Sequence, residues 1–75
     1  MKELIEHIAR SLVDDPTQVE VTEVVTGSSV ILELHVATED VGRMIGRNGR
    51  VVNAMRALAQ MCAAREAKRA QLEIV

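Results

Sequence analysis

Gly46-Arg47-Asn48-Gly49 interrupts two apolar stretches that would otherwise read as one helix. Two glycines three apart break helical propensity, so the chain must fold there as helix, tight turn, helix. Everything else has to fit around that turn within 75 residues. A chain of this length buries only about 60% of its unfolded surface. With no Phe, Tyr or Trp, the core must be aliphatic.

Upstream, Leu4, Ile5, Ile8, Ala9, Leu12 and Val13 share one helical face, predicting a helix over residues 2–13. Asp14-Asp15-Pro16 stops it, because proline disfavours helical geometry at the preceding residue. Residues 18–26 carry β-branched residues and some alternation, with Val19 and Val21 facing one way and Glu20 and Thr22 the other. Thr26-Gly27-Ser28-Ser29 is turn chemistry. Val30, Leu32, Leu34 and Val36 then alternate with Glu33 and His35, so two strands form a hairpin. Thr38 is placed to cap a short helix over 39–45, with Glu39 and Asp40 favouring its first turn. After the glycine turn a long helix is expected over about 50–66, then a third strand ending in Leu72-Glu73-Ile74-Val75.

The predicted order is α-β-β-α-α-β. The class is α+β, a three-stranded mixed sheet covered by helices on its one apolar face. The second strand, with the cleanest apolar face, belongs in the centre. Two helices lead from it to the third strand, a length that permits parallel pairing.

The net charge of −2 conceals an uneven distribution. Residues 1–42 hold two basic and nine acidic residues, a balance of −7. Residues 43–75 hold seven basic and two acidic residues, a balance of +5. Such asymmetry points to an anionic partner for the basic part, or to a dipolar surface that aids solubility. The turn supplies a place for an anion. The first amides of the helix after it are free and carry partial positive charge. Gly49 permits close approach of a ligand to the backbone, and Arg43, Arg47 and Arg50 surround the site.

These residues carry a resemblance. "VGRMIGRNGRVVNAMRAL" resembles the core of a KH domain, with Gly46-Arg47-Asn48-Gly49 as its GxxG loop. The whole chain, including "LIEHIARSLVDDP" and "ATEDVGRMIGRNGR", is similar to the small bacterial single-KH proteins of the KhpA type. The loop shows no departure beyond Arg47 where lysine is often found. The resemblance implies a type II KH fold over residues 1–75 as a single domain. It also implies single-stranded RNA binding, and self-association or pairing with a larger KH-containing partner. KH loops clamp the backbone of about four nucleotides. On that basis Arg43, Ile45, Gly46, Arg47, Asn48, Gly49 and Arg50 are the expected RNA-binding residues, with Ile45, Val41 or Met44 flooring the cleft. Action as a general RNA chaperone or post-transcriptional regulator follows as an expectation.

Other chemistry finds no support. The absence of aromatics excludes the stacking platform of an RRM and weakens an OB-fold assignment. The loop lacks the Gly-Lys-Ser/Thr ending of a Walker A motif, and its glycines do not form GxGxxG. His7 and His35 lie on different elements and read as surface residues, so no metal or cofactor is expected. Cys62 reads as a small packing residue, and a single cysteine fits a reducing cytoplasm. No acid–base pair points to catalysis, no small-molecule substrate is implied, and no apolar run approaches the ~18 residues of a membrane span. Two other functions compete. A helix-turn-helix DNA reader fits poorly, because residues 51–64 offer only Asn53, Arg56 and Gln60 to base edges. A protein–protein adaptor would make the glycine loop purely structural.

Residues 51–64 carry one further expectation. Their polar residues form a single narrow stripe, so Val51, Val52, Met55, Leu58, Met61 and Cys62 wrap most of the helix. One sheet cannot cover so wide an apolar arc, and the surplus marks a partner surface near Met61.

Overall fold

The computed structural model describes residues 1–75. Its elements run α1 (Lys2–Leu12), β1 (Glu20–Thr26), β2 (Ser29–His35), α2 (Val41–Ile45), α3 (Arg50–Ala64) and β3 (Arg69–Ile74). Single 3-10 turns occupy Pro16–Gln18 and Thr38–Asp40, and Arg47–Gly49 forms a turn with left-handed backbone at Asn48 and Gly49. The α-β-β-α-α-β order is as expected. β2 is central, antiparallel to β1 and parallel to β3.

β1 and β2 pair in unbroken register from Glu20↔His35 to Thr26↔Ser29. Gly27, at φ +57°, sits first in the two-residue connection, a position that favours a left-handed residue. The helices cover one face of the sheet, with α1 over β1 and α3 over β3. The core is aliphatic throughout: Ile5 and Ala9 from α1, Val21 from β1, Val30, Leu32 and Leu34 from β2, Met44 from α2. Val52, Met55, Ala59 and Ala63 of α3 face Ala70 and Leu72 of β3. Alanines on both sides let helix and strand approach closely, which closes the core without aromatic volume.

Two local expectations are corrected. Thr38 does not cap α2; it opens the 3-10 turn, and α2 begins only at Val41 with Asp40 at its N-cap. Asp40 supports no helix amide either. The residue is buried, 1% exposed, and its carboxylate accepts from the amides of Asp14 (3.0 Å) and Asp15 (3.2 Å). Asp14-Asp15 is therefore both the stop of α1 and a tether, tying the α1–β1 connection to the start of α2. Removing such a carboxylate would leave two backbone donors unpaired.

α3 ends in a Schellman motif. The Lys68 amide reaches Ala63 O (2.9 Å) and the Ala67 amide reaches Ala64 O (3.1 Å). Ala67 holds the left-handed position, φ +56°, that glycine usually takes, at a cost of about 1 kcal/mol. The turn delivers Arg69 to the sheet, where its amide meets Ser28 O at 2.7 Å.

Candidate nucleic-acid interface

α2 closes at Gly46, whose amide donates to Gly42 O (2.9 Å). Gly46 is not left-handed helical, as a simple cap would be: φ is +74° and ψ 173°, an extended conformation at positive φ. That dihedral pair turns the chain sharply against α3. A Cβ on Gly46 would lie 2.5 Å from Val51 Cγ2 and 2.9 Å from Val51 N. Asn48 (φ 57°) and Gly49 (φ 74°) then take left-handed conformations before Arg50 opens α3. Asn tolerates this region better than most residues. The Gly49 and Arg50 amides are spent on Gly46 O and Arg47 O, which fixes the loop's shape.

Arg47 and Asn48 are exposed at the tip, as expected. Arg47 and Arg50 make no ion pair, so both cations are open to an external anion. Arg43 differs: its Nη2 lies 2.9 Å from Asp14 Oδ2 and its Nε 3.6 Å from Asp40 Oδ1. Ile45 is 42% exposed beside the loop, whereas Met44 is fully buried and cannot floor a cleft. Val41 is half-buried.

The polar stripe on α3 joins the loop to a second feature. A Cβ on Gly49 would be 3.5 Å from Asn53 Nδ2, and Arg56 Nη1 donates to Asn53 Oδ1 (3.2 Å). Arg56 Nε in turn donates to the Leu72 carbonyl (3.2 Å). β3 is an edge strand. The Arg69 and Val75 amides point to β2, so by alternation Ala70, Leu72 and Ile74 present their backbone groups on the free edge. Between that edge and α3 lies a groove of about 450 Å³ lined by Gln60, Lys68, Arg69, Ala70 and Gln71. It continues past Arg56 toward Leu72 and Glu73. An exposed polar track thus runs Arg47–Asn48–Asn53–Arg56–Gln60 and ends at Lys68 and Arg69. Lys68, Arg69 and Gln71 were not assigned to a site from the sequence. Their only sequence signal is the basic bias of the C-terminal half, which does not say which side of α3 the strand returns on.

The family model for the KhpA/KhpB KH domain matches residues 2–74. The chain belongs to this KH-domain family. "RNA-binding protein KhpA" of Clostridium acetobutylicum is 49% identical over 75 residues, covering all of both chains. The protein of that name from Clostridium perfringens is 48% identical over the same full span. That of Borreliella burgdorferi is 48% identical over 73 residues, 97% of this chain and 89% of the relative. No solved structure matches the chain. The expected resemblance to KhpA-type KH proteins is therefore borne out, as is the KH fold. As a member of this KH-domain family the chain is not an enzyme. No helix is long and apolar enough to cross a membrane.

Proposed function

We propose that residues 1–75 work as one KH domain that clamps the backbone of single-stranded RNA at Gly46-Arg47-Asn48-Gly49. The observation that carries this reading is the loop tip: two exposed residues held in a fixed turn, with Arg47 and Arg50 free of carboxylate partners. The names of the relatives support RNA as the ligand. Arg47 and Arg50 meet phosphates, the α3 N-terminus adds its partial charge, and Ile45 offers an apolar surface to a base. Bases then follow the Asn53–Arg56–Gln60 track toward Lys68 and Arg69. The protein acts in the cytoplasm as a general RNA chaperone or post-transcriptional regulator.

RNA affinity will fall with salt despite the net charge of −2. Contact charges act locally, while acidic residues farther than the Debye length of ~8 Å are screened. Two or three phosphate contacts on a single strand give a slope of about −1.5 to −2 in log K against log salt. A titration of single-stranded RNA between low and high salt measures it, with duplex DNA in parallel. An affinity that ignores salt overturns the clamp and leaves the loop as a structural turn.

A lone cleft of about four nucleotides binds weakly, so a second cleft is needed for useful affinity. α3 supplies a surface for it. Met61 is 65% exposed and Leu58 40%, with Ala54 and Ala57 exposed on the same side. This face opposes the buried Val52, Met55, Ala59 and Ala63, so the chain's own sheet cannot reach it. The partner is a second copy or a larger KH-containing protein. Sedimentation at tens of micromolar will show self-association, and Met61→Glu will abolish it without unfolding the chain. A strictly monomeric parent would count against the homodimer.

A further inference from the structure

Of the three arginines in and beside the glycine loop, Arg43, Arg47 and Arg50, only Arg43 has carboxylate partners. A helical side chain leans toward the N-terminus of its helix. For Arg43 that is the direction of Asp40, three residues back, and away from Gly46, three residues on. Its two partners differ in kind. Asp40 is buried and committed to the Asp14 and Asp15 amides, so it is part of the framework. The Asp14 side chain is 76% exposed, and its carboxylate bonds only Arg43.

We propose that Asp14 is a built-in competitor of the RNA backbone for Arg43. It holds the guanidinium back from the glycine loop, and RNA binding exchanges carboxylate for phosphate. This inference rests on the reading of the loop as an RNA clamp. A guanidinium fork fits carboxylate and phosphate oxygens alike, so one anion can replace the other without new geometry. The pair is exposed on both sides, and exposed ion pairs contribute little, so the exchange is accessible. Arg43 sits about one helical turn from Gly46, within reach of its own side chain once released. Arg43 is then a reserve phosphate contact whose contribution is set by a residue from the α1–β1 connection, 29 positions away in sequence.

The test is a double-mutant cycle read by the anisotropy of a fluorescein-labelled, mixed-sequence single-stranded RNA octamer. Asp14→Ala will tighten binding about two- to fivefold, the range expected for release of an exposed pair. Arg43→Ala will cost more in the Asp14→Ala background than in the parent, and the gain from Asp14→Ala will vanish when Arg43 is absent. Glu39→Ala removes one exposed, unpaired carboxylate near the same site and controls for net charge. It will change affinity by less than about half as much on a logarithmic scale. Thermal melting confirms that each variant is folded. A parent that binds RNA while Asp14→Ala leaves affinity unchanged overturns this inference alone. So does a gain that persists without Arg43 or is matched by Glu39→Ala, since either assigns it to general charge repulsion. A parent that does not bind the RNA overturns the clamp, and this inference falls with it.

Discussion

An Arg47→Asp, Asn48→Asp double variant will bind single-stranded RNA at least about tenfold more weakly than the parent while keeping its fold. Loss of one charge-assisted hydrogen bond costs about 1.5–3 kcal/mol, and repulsion between phosphate and two new carboxylates adds to it. The fold should not respond. Both side chains are exposed, and neither makes a side-chain hydrogen bond or an ion pair. Asn48 is left-handed at φ 57°, ψ 26°, a region that aspartate also tolerates. Carboxylates just before α3 complement its dipole. RNA titration, circular dichroism and sedimentation on one preparation check all three expectations. A folded variant that binds RNA like the parent would reduce the loop to a turn and favour the adaptor function.

Gly46→Ala will lower stability by about 3 kcal/mol, from two independent costs. The backbone at φ +74°, ψ 173° lies in a region essentially reserved for glycine. The new methyl would also meet Val51, at 2.5 Å from Cγ2 and 2.9 Å from the backbone nitrogen. A rotamer change could relieve the first contact. The second involves the backbone of α3's first turn, which moves only if the helix start moves. For a chain of this size each kcal/mol shifts Tm by about 4–8 °C, so the melting point should fall by more than about 10 °C. Gly49→Ala is the informative comparison. Its Cβ meets only Asn53 Nδ2 at an ordinary 3.5 Å, and the cost is that of one left-handed alanine, about 1 kcal/mol. Equal melting points for the two variants would refute the close approach of Gly46 to α3. The two glycines are thus unequal: the first is required by dihedral angle and by packing, the second by dihedral angle alone.

The order of elements was legible in the sequence because each signal is local. The alternation Val30-Leu32-Leu34 and the shared face of Ile5 and Ala9 survive unchanged as buried residues. The surplus apolar width of α3 was also legible, and Leu58 and Met61 are exposed as it required. The tip residues Arg47 and Asn48 sit where the glycine spacing placed them. Element ends were less legible. Thr38 looked like a cap, yet a 3-10 turn intervenes, since which hydroxyl meets which amide depends on dihedrals that composition does not fix.

The helix–strand alternation, the aliphatic core and the presence of a basic loop between two helices are all written in local pattern. These follow from periodicity and glycine's freedom, which act over a few residues. Packing between elements, by contrast, is what buries Asp40 as a tether for Asp14 and Asp15 rather than a cap. The same packing pairs Arg43 with Asp14 while leaving Arg47 and Arg50 unpaired, and brings Lys68 and Arg69 into a groove beside Gln60. Each of these joins residues from different elements. Their partners are set by how α1, α3 and β3 pack on one sheet, and no local pattern records that.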